Sequence, residues 1–180
     1  MSIAAIISSP IKGNTYAIVN AMAEQLKADG KDVQVFDINA MKDRRGCQGC
    51  NACKRKGSCV TKDDLTPVID AIRNADGVIL STPVYFGEAC GQYRLLEDRF
   101  YSFLNADFSV NIAPGKKVAV VVSAGSAGAD KLAEKIEGTM KNFFKCEPVG
   151  TITVTTANDP KCAANSADIM AKAKEIAKKF

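Results

Sequence analysis

The chain has 180 residues, of which 47% are hydrophobic and 24% charged, with a formal net charge of +4 and no histidine. That length suits one well-buried domain and is short for two. The weak, scattered positive charge offers no aromatic–basic platform for nucleic acid, and the lack of histidine excludes imidazole bases, catalytic triads and Cys2His2 zinc fingers.

In chain order, the first ten residues carry no basic leader region, and their apolar run is too short for a signal peptide. No stretch reaches membrane-spanning length. The expectation is a cytoplasmic protein with no membrane partner, in which seven cysteines stay reduced rather than form a disulfide scaffold. Residues 3–7 read as a strand. A helix follows from about Thr15, with Ile18, Met22 and Leu26 on one face and Gly30 at its end. Residues 33–36 form a second strand. Asp63 or Asp64 can cap a helix carrying Leu65, Val68, Ile69 and Ile72, with Pro67 tolerated in its first turn. Residues 78–80 are a third strand, and Leu96, Phe100, Phe103 and Leu104 mark a third helix. Residues 117–122 are a fourth strand, followed by a helix carrying Leu132, Ile136 and Met140. A fifth strand holds Ile152 and Val154, and the last helix starts near Asn165.

Five strand–helix units predict a parallel sheet with helices on both faces, a three-layer α/β sandwich formed by one domain over residues 1–180. Strands one, three and four are continuous apolar runs, as strands covered on both faces are. Strands two and five alternate, as half-exposed edges do. This texture predicts the five-stranded order 2-1-3-4-5.

Between strand two and the next helix, in a loop at residues 46–60, four cysteines fall in the run Cys47-x2-Cys50-x2-Cys53-x5-Cys59. Thiolates at this density suit an iron–sulfur cluster or zinc. Cluster-free thiols or a disulfide remain open on spacing alone. Cys90, Cys146 and Cys162 are isolated and read as small buried residues or idle thiols. The basic triplet Lys54-Arg55-Lys56 reads as a solvated loop face, or as a surface for an acidic redox partner or a cofactor phosphate.

In a sheet of this order, ligands bind at the carboxyl ends of strands one and three. After strand one, Ser8-Ser9-Pro10-Ile11-Lys12-Gly13-Asn14-Thr15 offers hydroxyls and a helix N-terminus to a phosphate. A dinucleotide fingerprint is absent there, since Gly13 stands alone. After strand three, Ser81-Thr82-Pro83-Val84-Tyr85-Phe86-Gly87 places two aromatics where they can wall a flat ring, or plug the top of the core. After strand four, residues 123–128 are rich in small residues that let backbone approach a ligand.

Together these segments resemble the flavodoxin-like NAD(P)H-dependent FMN reductases, and most closely their iron–sulfur flavoprotein branch. Four motifs carry the resemblance: Ser9-Pro10 followed by Gly13-Asn14-Thr15; the four cysteines followed by Asp63-Asp64; Pro83-Val84-Tyr85; and Asp98-Arg99. It runs from the first strand to the third helix and more loosely beyond. Ser8 stands where the family usually has glycine, and Ile11 where it usually has a basic residue. The resemblance implies a flavodoxin-like fold and an FMN site. Ser9, Pro10, Lys12, Asn14 and Thr15 would surround the phosphate. Pro83, Val84, Tyr85, Phe86 and Gly87 would line the isoalloxazine, and Ser123, Ala124, Gly125 and Gly128 its other edge. It also implies an oxidoreductase in which the flavin, with no catalytic side chain, passes electrons onward. The donor would be NAD(P)H or reduced ferredoxin, and the acceptor a quinone, nitro compound, oxygen or another small molecule. Cys47, Cys50, Cys53 and Cys59 would hold a [4Fe–4S] cluster, and the assembly would be a homodimer or homotetramer. The alternative is a non-enzymatic module stapled by zinc or a cluster, which the cysteine spacing alone permits and the loops after strands one and three disfavour.

Overall fold

A computed structural model of the chain covers residues 1–180. The elements run β1 (Ser2–Ile7), α1 (Asn14–Ala28), β2 (Asp32–Asp37), a 3-10 turn (Ile38–Ala40), α2 (Ala52–Lys56), α3 (Thr66–Asn74), β3 (Gly77–Tyr85), β4 (Glu88–Ala89) and α4 (Gly91–Asp98). A 3-10 segment (Arg99–Phe103), β5 (Lys117–Ala124), α5 (Ala129–Gly138) with a π turn (Thr139–Phe143), β6 (Glu147–Thr155) and α6 (Ala167–Ala177) complete the chain. The parallel strands lie in the order β2-β1-β3-β5-β6, which is the expected 2-1-3-4-5 arrangement. The two-residue β4 is additional, and it pairs antiparallel with the far end of β3.

Strand texture matches position. β1, β3 and β5 are buried along nearly their whole length, whereas β2 and β6 at the edges are only partly covered. Alternation along β1 divides the core into two layers. Ala4 and Ile6 face the layer built by α3, α4 and α5, with Leu65, Ile72, Tyr93, Leu96 and Leu132. Ile3, Ala5 and Ile7 face the layer built by α1 and α6, with Ile18, Met22, Leu26 and Ile176. Successive side chains of a strand point to opposite faces, so a run of apolar residues serves both layers at once.

The third expected helix is shorter than its apolar spacing suggests. It tightens into 3-10 geometry after Asp98, and Leu104 lies beyond it in an isolated bridge to Val110. Residues 52–56 form a helix that the periodicity did not indicate, because Cys53 is its one buried residue. α6 starts at Ala167, where the Ser166 side chain accepts a hydrogen bond from Ile169 N–H, a sharper start signal than the apolar spacing. No helix is long and apolar enough to cross a membrane.

Candidate functional site

The parallel strands end together, with Ile7 opposite Ser81, Pro83 opposite Ser123, and Ala124 opposite Thr155. The loops that follow them therefore gather at one edge of the sheet. α1 begins there without a cap: Gly13 precedes it, no side chain closes its first turn, and that turn holds no carboxylate. Its first N–H groups lack helical partners and carry the positive end of the helix dipole. Beside them the Thr15 hydroxyl is buried with no hydrogen-bond partner. A buried hydroxyl without a partner is unfavourable unless a ligand completes it. Ser9 lies across the same space, its hydroxyl accepting from Ile11 N–H at 3.3 Å.

A cavity of about 140 Å³ opens over this cradle, lined by Ser9, Asn14, Thr15, Pro83, Val84, Tyr85, Ser123, Ala124 and Gly125 from the expected set. A second cavity of about 280 Å³ shares Val84, Ala124 and Gly125 with the first and reaches Phe86 and Gly87. Phe86 and Gly87, at φ 51° and 82°, form the two-residue turn between β3 and β4. Left-handed conformations at both central positions suit the twist of a tight hairpin. The turn projects Phe86 fully into solvent and leaves Tyr85 half exposed, so these aromatics form the rim of the site rather than a plug in the core.

Four expected site residues are placed otherwise. Pro10 and Lys12 do not line either cavity; the Lys12 ammonium instead lies 5.6 Å from the centroid of the Tyr16 ring. Gly128 precedes α5 at φ 93° and lines neither cavity. Asn14 is at the cavity, but its carboxamide is engaged elsewhere: Nδ2 donates to Asp159 O at 2.7 Å, and Oδ1 accepts from Ala163 N–H at 2.7 Å. Sequence reasoning missed the loop after β6 entirely. Thr156, Asn158, Asp159 and Pro160 line the first cavity, and Asn158 lines the second as well. No motif marks these residues, and the contacts that hold the loop reach back to Ala124 and to Asn14, far along the chain.

A larger cavity, about 360 Å³, opens at the opposite edge of the sheet between β1, β2 and α3. It lies at the amino ends of the strands, away from the edge where parallel sheets bind ligands, and α3 contributes Pro67, Asp70, Ala71 and Asn74 to its wall.

The cysteine loop is an appendage held at its neck. Arg99 and Asp63 form an ion pair with both side chains fully shielded from solvent. Asp63 also accepts from Arg45 N–H at 2.9 Å and Leu65 N–H at 3.1 Å, while Arg99 Nη2 donates to Thr61 O at 3.3 Å. Asp64 accepts from Lys42 and Asp43 N–H at 2.8 and 3.0 Å. The incoming and outgoing chains are thus tied together before Cys47 and after Cys59. Burial raises the Asp63 carboxyl, but the Arg99 hydrogen bond and the other donors outweigh it and hold the group below its ordinary range. Inside the loop, Lys54 Nζ donates at 2.7 Å to both Tyr101 O and Leu104 O and lies 3.5 Å from the centre of the Tyr101 ring. Of the basic triplet, only Arg55 and Lys56 face solvent. All seven cysteines are free; Cys53 is buried, Cys59 half-buried, and Cys47 and Cys50 exposed. No three cysteine or carboxylate side chains are arranged to hold a metal ion. The donor set fits a soft metal in type and number, but not in its arrangement here. Cys90 is a structural thiol, its Sγ donating to Ser8 O at 2.8 Å beneath the β1 loop.

An open-sheet α/β protein with an uncapped helix at the end of its first strand, facing an aromatic-rimmed cleft, is of the flavodoxin-like class. The family model for NADPH-dependent FMN reductases matches residues 1–161, and the chain belongs to that family. It is 32% identical over 161 residues to an iron–sulfur flavoprotein of Methanocaldococcus jannaschii, covering 89% of this chain and 78% of that protein. A second iron–sulfur flavoprotein of that organism is also 32% identical, over 145 residues, covering 80% of this chain and 71% of that one. These relatives place the chain in the branch bearing that name. Among solved structures, a flavone reductase superposes with a TM-score of 0.70 at 16% identity; the match covers 99% of this chain but 61% of the flavone reductase. Such a structural likeness speaks for the fold alone. By family the chain is an FMN-dependent oxidoreductase.

Proposed function

We propose that the chain takes electrons from NAD(P)H, or from reduced ferredoxin, and delivers them through FMN to a small acceptor such as a quinone, a nitro compound or oxygen. The observation that carries this reading is the uncapped α1 terminus with the unpartnered Thr15 hydroxyl at the floor of a cleft. Bound FMN would supply hydride and single-electron chemistry that no side chain here offers.

The protein's part is binding, orientation and exclusion of water. The Thr15 and Ser9 hydroxyls and the first N–H groups of α1 would hold the phosphate, with helix polarity in place of a cation. Pro83, Val84 and Tyr85 would wall one side of the ring system, and Phe86 would cover its outer rim. Backbone from Ser123 to Gly125 would close the opposite edge, where N–H groups can stabilise negative charge on the ring. Cys47, Cys50, Cys53 and Cys59 would hold a [4Fe–4S] cluster, for which they supply thiolates of the right type and number. Arg55 and Lys56 supply the positive charge an acidic redox partner would meet. The exposed Tyr85 and Phe86 rim favours a second copy of the chain covering it, in a homodimer or homotetramer. Free thiols throughout suit the reducing cytoplasm.

The test is a titration of the flavin-free protein with FMN and with riboflavin. Thr15→Val is expected to weaken FMN about 10- to 100-fold, the worth of a hydrogen bond to a charged group, and to leave riboflavin unchanged. Equal FMN affinity in the variant would contradict the phosphate assignment.

A further inference from the structure

Ala157 and Asn158 both sit in the left-handed region, at φ 46° and 64°. That conformation is uncommon outside glycine, though asparagine tolerates it better than alanine, and two such residues in succession persist where the surroundings enforce it. Here they do. Thr156 ties the near side of the turn to Ala124 O through its N–H at 2.8 Å and its hydroxyl at 3.1 Å. Asn14 ties the far side through Asp159 O and Ala163 N–H. Held this way, the Asn158 carboxamide lies directly over Gly125. A Cβ built on Gly125 would overlap Asn158 Oδ1 and stand 3.0 Å from Cγ. Asn158 lines both cavities, whereas Thr15 lines only the inner one.

We propose that Asn158 recognises the polar edge of the bound flavin ring, and that Asn14 is the positioning residue that presents it. This rests on the FMN reading above. The pyrimidine half of the ring presents alternating carbonyl and N–H groups, and a carboxamide carries a matching donor and acceptor on one planar head. Gly125 is required because any side chain there takes the place of that head.

The experiment measures FMN and riboflavin dissociation constants for the full chain and its variants. Asn158→Ala raises both constants alike, by about tenfold for one lost hydrogen bond, and Asn158→Gly, which keeps the left-handed turn without strain, does the same. Gly125→Ala and Asn14→Ala give comparable losses singly, and neither adds to the loss in the Asn158→Ala background. A merely structural role for Asn14 or Gly125 would instead give additive effects. Wild-type riboflavin affinity in Asn158→Ala, or full additivity of the doubles, overturns the proposal. If the wild-type chain binds FMN and Thr15→Val loses it selectively while Asn158→Ala does nothing, this assignment alone fails. If the wild-type chain binds neither flavin, the FMN reading fails and takes this one with it.

Discussion

At the scale of single residues, the chain separates side chains that meet a ligand from those that only hold the site in shape. Thr15 is buried and without a partner, while Asn14 beside it is fully engaged with the loop after β6. Sequence motif and helix position made both look alike as phosphate ligands, because their distinction depends on residues far along the chain. Lys54 was similarly illegible. Its place in a basic triplet suggested a charged surface, yet its ammonium binds the carbonyls at the end of the Arg99–Phe103 segment. Lysine near a helix end commonly satisfies such carbonyls. That contact anchors α2 and with it the buried Cys53. Under thiol-specific labelling of the metal-free protein, Cys47 and Cys50 are expected to react fast and Cys53 slowly. Lys54→Met should speed Cys53 by roughly tenfold through easier local opening. An unchanged Cys53 rate would mean that Lys54 does not hold the helix.

At the scale of elements, the cysteine loop and the β3–β4 hairpin are the two additions to the sheet. The loop is tied at its neck by Asp63, Asp64 and Arg99, the same residues whose sequence pattern contributed to the family resemblance. The pattern marked them as significant but did not reveal that Asp63 and Arg99 pair, since 36 positions separate them. Removing one partner of a buried ion pair leaves the other charge uncompensated. Asp63→Ala is therefore expected to destabilise the chain by about 3 kcal/mol, measured by urea denaturation. A loss under about 1 kcal/mol would put the pair in the class of exposed bridges. The pH dependence has a definite sign. Because the folded Asp63 carboxyl lies below its ordinary range, its contribution is present in full above that range. It is lost as pH falls through the folded value, below about pH 4. Asp63→Asn should flatten this part of the acid limb, and an unaltered acid limb would show that Asp63 is not its source. The hairpin was not legible: Tyr85-Phe86-Gly87 read as a ring-lining segment or a core plug, and nothing local announced β4, whose two residues are too few for a strand pattern.

At the scale of the whole molecule, the order of the sheet was readable because burial on both faces writes itself into composition. The apolar runs of β1, β3 and β5 and the alternating edges β2 and β6 arrive in the structure as predicted. That order brings the loops after β1, β3 and β5 to one edge, which is why most of the expected site lines a common cleft. The loop after β6 escaped because it has no compositional signature and is placed by contacts to the end of β5 and the start of α1. The account's central claim is that this cleft binds FMN, and the most direct measurement is an absorption spectrum of protein purified without oxygen, with flavin, iron and sulfide assayed on the same sample. The account predicts one FMN per chain, as purified or after reconstitution, with iron and sulfide reporting separately on the cysteine loop. A protein that binds no FMN even after reconstitution would contradict it.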